Sequence, residues 1–265
     1  MKRITSADNP GFRELLALAS QPRAVREQGR TLIEGAHLVQ AAVAAGLVPE
    51  RLLLGEASGT EPELTALVDR VDPGRQWLLA PSLYRRLSVL ASPAGVMAVI
   101  PLPDATPVST GDIVLLDALQ DPGNVGAVLR CAAAAGIRDV VLGDGCAGAW
   151  APRTLRAGQG AQFALNLIEQ VDLAVWLDRH PAVASRMAAT VVNDGTDLYE
   201  ADLATPVAWL IGNEGAGVSA DLTARAFRRL RIPLASSTES LNVAAAAAVC
   251  FFEARRQRRA ASRPA

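Results

Sequence analysis

The chain has 265 residues, half of them hydrophobic, and a formal net charge of −1 at pH 7. That length can bury one large core or two modest ones, and the near-neutral balance gives no global sign of a nucleic-acid partner. The longest apolar runs, such as Val243 to Phe252, are too short to cross a bilayer, and no charged-then-apolar signal opens the sequence, so a cytoplasmic protein with no membrane partner is expected. Cys131, Cys146 and Cys250 lie far apart and offer neither a disulfide framework nor metal-ligand spacing. They read as small buried side chains, and no metal is expected.

Pro10 to Ser20 and Gly35 to Ala45 carry helical spacing of Leu, Val and Ala, with Gly46 placed to stop the second. Arg51 to Leu54, Gln76 to Leu79 and Val96 to Ile100 read as short strands, which makes the N-terminal portion a small α/β layer. The prolines of Pro101-Leu-Pro-Asp-Ala-Thr-Pro107 favour extended backbone and mark a linker. We therefore expect domains at 1–100 and 112–265, joined by 101–111.

Ile113 to Leu116 is an apolar run ending in Asp117, as expected of a strand buried on both faces. Asn124 can cap a helix that runs through Arg130 to Gly136. Strands follow at Val140 to Leu142, Ala188 to Val192 and Val207 to Ile211. Helices are predicted from Pro152 through Arg156, over Val171 to His180, and from Leu241 to Arg259. Alternating strands and helices predict a mainly parallel sheet with helices on both faces, whose ligands sit beyond the carboxyl ends of the strands.

Charge is distributed unevenly. Lys2, Arg3, Arg13, Arg23, Arg26 and Arg30 outnumber the acids among the first 30 residues, and Arg225, Arg228, Arg229 and Arg231 form a stretch without acids. The tail adds Arg255, Arg256, Arg258, Arg259 and Arg263. Local basic patches suit a protein that grips phosphates, and a solvated helix face with a frayed tail accounts for them equally well.

Three strand-to-loop junctions concentrate glycine, amide and charged residues. In Asp121-Pro-Gly-Asn-Val-Gly-Ala-Val-Leu-Arg130, Gly126 permits close approach at a helix start and Arg130 adds a cation; a capped helix with a surface arginine is the plain alternative. Leu210-Ile-Gly-Asn-Glu-Gly-Ala-Gly217 follows an apolar strand and can wrap a ligand, but lacks the Lys-Ser or Lys-Thr ending of a phosphate-cradling loop. In Ile232-Pro-Leu-Ala-Ser-Ser-Thr-Glu-Ser-Leu-Asn242, Ser240 and Asn242 bracket Leu241, where they can cap the last helix or meet a ligand.

Together, Asn124-Val-Gly126 with Arg130, Gly212-Asn-Glu-Gly-Ala-Gly217, and Ile232-Pro233 with Ser240-Leu-Asn-Val243 resemble the three ordered motifs of the SpoU/TrmH RNA methyltransferases. The resemblance extends from about Asp112 to Arg259. The N-terminal part, with Thr5-Ser-Ala-Asp-Asn-Pro10, Glu34-Gly35 and Gly95-Val-Met-Ala98, is similar to the ribosomal-protein-like substrate-binding domain that many members carry. The resemblance implies a trefoil-knotted C-terminal domain, a homodimer, and S-adenosylmethionine as cofactor. Its implied activity is methyl transfer to a ribose 2′-hydroxyl of RNA, with ribosomal RNA favoured over tRNA.

By the same resemblance, backbone groups around Gly212, Ile232 and Leu241 hold the cofactor, and Leu234, Gly217 and Thr190 line its pocket. Asn124, Arg130, Glu214, Ser240 and Asn242 match the catalytic and structural motif positions. A guanidinium holds its proton tightly, so stabilisation of developing alkoxide charge is the role expected of Arg130, with the family's proposed general-base role left open. Glu214 is expected to orient Arg130 or Asn124, or to tie the glycine loop. Two departures from the family pattern stand out: Ala244 where members often have serine, and Gly158 after Arg156-Ala157 where Arg-Ala-Ser is common. Both are expected beside the site. The rival expectations are a tRNA ribose methyltransferase and a non-catalytic RNA-binding relative.

Overall fold

Asn9 accepts a hydrogen bond from the Phe12 amide at 3.3 Å, Pro10 fixes the first turn, and Phe12, Leu15 and Leu18 fall on one buried face. Those features start helix α1 (Pro10–Ser20), which the spacing predicts with the same bounds. The computed structural model describes residues 1–55, 67–68, 71–235 and 238–261. Ser236 and Ser237 of the third motif, and Arg263 of the tail, lie outside them.

The chain packs into two compact units, one of residues 1–104 with 150–163 and the other of 105–149 with 164–265. In chain order, the first unit contains β1 (Lys2–Ile4), α1, α2 (Pro22–Gln28), β2 (Arg30–Glu34), α3 (Ala36–Ala44), β3 (Arg51–Gly55), β4 (Gln76–Leu79), α4 (Pro81–Leu87) and β5 (Val96–Pro101). Its sheet has the order β1-β4-β3-β5-β2, with β5 antiparallel to both neighbours and the other pairs parallel. Glu34 anchors the turn after α4, accepting from Ser88 Oγ at 2.6 Å and from the Val89 and Ala94 amides at 3.1 and 3.3 Å.

Sequence reading puts 150–163 in the C-terminal domain, but this segment packs with the first unit. The buried Thr31 hydroxyl donates to the Trp150 carbonyl at 2.6 Å. Gly158 lies here, in a helix of Pro152–Gly158, and a Cβ on it would come within 2.5 Å of Gln162 Oε1. Close packing on Gln162 accounts for glycine at this position.

The second unit begins with β6 (Ile113–Leu116) and α5 (Pro122–Ala135), then β7 (Asp139–Gly143). The Pro152–Gly158 helix of the first unit is α6. Next come β8 (Asn166–Val171), α7 (Leu173–Arg179), α8 (Pro181–Ala184), β9 (Met187–Thr190) and β10 (Thr196–Asp197). The unit ends with β11 (Ala208–Ile211), α9 (Ala220–Arg225), β12 (Arg228–Arg231) and α10 (Val243–Ala261). The seven strands are all parallel, in the order β10-β12-β9-β11-β6-β7-β8.

Fully buried β6 supplies both faces of this sheet, as its unbroken apolar run predicts. Ile113 and Leu115 join Leu173, Trp176 and Leu210 on one side. On the other, α10 packs along α5, and Trp209 meets Phe251 edge-on with ring centroids 6.0 Å apart. Two local readings are corrected. Asp121, not Asn124, caps α5, because its carboxylate accepts the Asn124 amide at 2.8 Å and leaves the Asn124 side chain for other partners. The predicted helix from Val171 starts only at Leu173, capped by Asp172, since Val171 closes β8.

Candidate functional site

Parallel strands bring the loops that follow β6, β9, β11 and β12 to one edge of the sheet. Short side-chain bonds tie those loops together. Glu214, in the loop after β11, accepts from the Asp121 amide at 3.1 Å and from Asn124 Nδ2 at 3.2 Å through Oε1, and from the Gln120 amide at 3.4 Å through Oε2. Asn124 Oδ1 in turn accepts from Asn242 Nδ2 at 2.9 Å, and Asn242 Oδ1 caps α10 by accepting the Ala244 amide at 2.9 Å. The three sequence motifs are therefore one hydrogen-bonded unit.

Desolvation on its own would raise the Glu214 pKa. Hydrogen bonds from its own backbone, Asn124, Asp121 and Gln120 more than offset this and hold the carboxyl below its ordinary range.

The glycine loop is closed on itself. Asn213 and Gly217 exchange two backbone hydrogen bonds of 2.9 Å, and Asn213 Oδ1 accepts from the Gly215 and Ala216 amides at 2.9 and 3.0 Å. Gly212 sits where a Cβ would lie 2.1 Å from Gly217 C and Val218 N, so only glycine lets the loop fold back this closely. Gly217 adopts the left-handed φ of 70° that glycine accepts without cost. Asn213 Nδ2 also donates to the Ala118 carbonyl at 2.8 Å, and Asp117 accepts the Ser219 amide at 2.7 Å, joining this loop to the end of β6.

Together these loops border an open cleft of about 1200 Å³. Thr190, Gly212, Gly217, Ile232, Leu234 and Leu241 line it, as do Asn124, Glu214, Ser240 and Asn242. Thr190 Oγ1 donates to the Leu210 carbonyl at 3.1 Å, and Leu241 is 39% exposed. Arg130 is not among the lining residues. Six positions after Asn124, it falls about 120° around helix α5, exposed and without a hydrogen bond or ion pair to any described residue. Glu214 orients Asn124, not Arg130. Ala244, the other departure from the family pattern, is buried in the first turn of α10.

Sequence reasoning missed part of the lining. Val191 to Asp194 contribute from the loop after β9, Arg229 from β12 and Cys250 from α10. Arg229 belongs to the acid-free basic stretch, which was the one available signal. Burial pushes the Cys250 thiol up to about 12 and Cys146 to about 11, so neither is a nucleophile. Among the described residues no three His, Cys, Asp or Glu side chains are grouped to hold a metal ion, and no helix is long and apolar enough to cross a membrane.

The basic clusters are largely engaged within the chain. Arg13 pairs with Asp8, Arg23 with Glu27, and Arg30 with Glu14 and Glu50. Arg225 pairs with Asp178 and Asp221, Arg256 with Glu253, and Arg258 with Asp112. Several of these pairs are solvent-exposed and contribute little to stability, so phosphates can compete for them.

A parallel sheet whose carboxyl-edge loops border a mixed polar and apolar cleft defines an α/β domain with a ligand site where such sheets place one. Within that class the chain belongs to the SpoU rRNA Methylase family, whose model matches residues 112–252. It is 34% identical over 260 residues to the 23S rRNA (guanosine(2553)-2′-O)-methyltransferase RlmP of Bacillus subtilis, covering 96% of this chain and 100% of that protein. A solved RNA 2′-O ribose methyltransferase superposes with a TM-score of 0.80 at 32% identity, over 97% of this chain and 99% of that one. The SpoU methyltransferase AviRb from Streptomyces viridochromogenes, solved in complex with the cofactor AdoMet, gives a TM-score of 0.84 at 28% identity, over 94% and 98%.

Proposed function

We propose that this chain transfers a methyl group from S-adenosylmethionine to a ribose 2′-hydroxyl of ribosomal RNA. The observation that carries the reading is the cavity in which all three motifs of a SpoU-family chain meet. Its residues fit the cofactor: the Gly212 to Gly217 loop presents backbone without side chains, Ile232, Leu234 and Leu241 suit a purine face, and Thr190 and Ser240 add polar groups.

When bound, S-adenosylmethionine supplies an electrophilic methyl group on its sulfonium. Gly212, Gly217, Ile232 and Leu241 hold it, with Thr190 and Leu234 closing the pocket. Asn124, Glu214 and Asn242 fix the reacting end, and Ser240 contributes a hydroxyl there. Positioning of this kind removes much of the entropic barrier to an in-line transfer. From outside the lining of this chain's cleft, Arg130 stabilises the charge that develops on the ribose oxygen as its proton passes to solvent. Its exposure and lack of a partner among the described residues leave the guanidinium available to RNA.

The reading includes the first unit as a substrate-binding domain, a knotted backbone in the second unit, a homodimer, and a place in the cytoplasm. Support for the dimer comes from α10, where Phe252 is 44% exposed and Ala245 lies seven residues earlier on the same face. Ribosomal RNA is favoured over tRNA because RlmP, the relative that aligns along its whole length, acts on 23S rRNA.

The test is incubation with methyl-labelled S-adenosylmethionine and unmodified ribosomal or transfer RNA, alongside Arg130→Ala, followed by nucleoside analysis. The expected result is a 2′-O-methyl nucleoside from ribosomal RNA that disappears in the variant while cofactor binding persists. Full activity in Arg130→Ala sinks that assignment, and failure to bind cofactor replaces the enzyme with a non-catalytic RNA binder.

A further inference from the structure

We infer that Asp194 and Arg229 form a clamp for the zwitterionic amino-acid head of the cofactor, Arg229 taking the carboxylate and Asp194 the ammonium. The inference rests on the cofactor reading above. Among the described residues the charged side chains lining the cavity are Asp194, Glu214 and Arg229. Glu214 is committed to Asn124 and the Gln120 and Asp121 amides. Asp194 and Arg229 are exposed, and neither side chain makes a hydrogen bond or ion pair with a described residue.

Their backbones nevertheless run side by side. The Val191 amide donates to the Leu230 carbonyl at 2.9 Å, Arg231 Nε donates to the Gly195 carbonyl at 3.1 Å, and a Cβ on Gly195 would lie 3.1 Å from the Arg229 carbonyl oxygen. Asp194 itself holds a left-handed φ of 57°, which non-glycine residues rarely adopt.

Two opposite charges on adjoining segments of one wall, left unpaired with each other, complement a ligand that carries both charges on one carbon. The cofactor's methionyl end is such a ligand. A plain anion such as an RNA phosphate would be attracted by Arg229 and repelled by Asp194, so the pair favours the zwitterion. Arg229 suits the carboxylate because a guanidinium presents paired N–H donors in the matching plane.

Isothermal titration of the full chain, of Arg229→Gln and of Asp194→Asn tests this with three ligands. S-adenosylhomocysteine carries the whole head, S-adenosyl-3-thiopropylamine lacks only the carboxylate, and 5′-methylthioadenosine lacks the head. Arg229→Gln is expected to weaken S-adenosylhomocysteine about tenfold while changing the other two by less than about twofold. Asp194→Asn should weaken both ligands that carry the ammonium and spare 5′-methylthioadenosine. Equal losses for all three ligands indicate a collapsed wall and overturn the clamp, as does unchanged affinity in both variants. Wild-type protein that binds S-adenosylhomocysteine and 5′-methylthioadenosine equally well overturns the clamp alone. Wild-type protein that binds none of them overturns the cofactor reading and the clamp with it.

Discussion

Asn242 Nδ2 donates to Asn124 Oδ1 at 2.9 Å across 118 positions of sequence, and Asn124 Nδ2 passes the connection on to Glu214 Oε1 at 3.2 Å. Each amide uses its oxygen and its nitrogen on different partners, so the chain of bonds has a direction. Replacing Asn124 with alanine removes two bonds and should cost about 1–2 kcal/mol. Asn124→Asp keeps the size but sets a second carboxylate against Glu214. At neutral pH it should therefore be less stable than Asn124→Ala and bind S-adenosylhomocysteine more weakly. Urea unfolding and calorimetry measure both, and an aspartate variant that matches the wild type would break the proposed link.

Glu214 gives this network a pH signature. Its folded-state pKa lies below the ordinary 4.5, because the donors around it outweigh the cost of burial. A carboxyl depressed on folding contributes stability above its unfolded pKa and loses it as pH falls through the lower folded value. The stability difference between wild type and Glu214→Gln should thus be largest at neutral pH and shrink below about pH 4.5. Glu253, also depressed, remains in both proteins and cancels in the difference. Denaturant titrations at several pH values test this; a difference that grows on acidification would contradict it.

Much of the frame was legible because it depends on local rules. Ile113 to Leu116 announces a doubly buried strand, Asn9-Pro10 announces the start of α1, and both form where expected. The motif residues were also legible, since glycine and amide clusters after apolar strands mark carboxyl-edge loops. What stayed hidden depends on distant packing. The half-exposed β8 shows no clear apolar period, and the two-residue β10 exists only through its pairing with β12. Asp194 and Arg229 are 35 positions apart and meet at one cavity wall only because β12 lies beside β9. Likewise, nothing local to Gly158 indicates that its helix belongs with the N-terminal unit.

Gly212→Ala tests the cradle. The new methyl group would meet Gly217 and Val218 backbone atoms at 2.1 Å, with no flexible side chain to move aside. Opening the loop should cost roughly 1–3 kcal/mol and disturb the Asn213–Gly217 bridge that shapes the pocket wall. Thermal unfolding should fall by several degrees, and S-adenosylhomocysteine binding should drop more than tenfold. Gly215→Ala is the control. A Cβ there meets only Asn213 Oδ1, at 3.7 Å, so stability should change little. Equal effects from the two substitutions would refute the close-packing account of Gly212.

Ala118 holds a left-handed φ of 51° in the turn after β6, and its carbonyl accepts from Asn213 Nδ2 at 2.8 Å. An L-residue in this region costs about 1–2 kcal/mol, which that bond helps to offset. Glycine removes the steric penalty but gains freedom in the unfolded chain worth about 0.5–1 kcal/mol. Ala118→Gly should therefore leave stability equal or slightly raised, whereas β-branched Ala118→Val should lower it by at least about 1 kcal/mol. The pair separates conformational strain from loss of side-chain contacts, since only strain makes the smaller residue the better one. Melting temperatures ordered glycine at or above alanine, with valine lowest, would support a strained turn held by Asn213. The reverse order would mean that the Ala118 methyl group is retained for its packing against the adjacent loop, where a Cβ on Gly145 would stand 3.4 Å away.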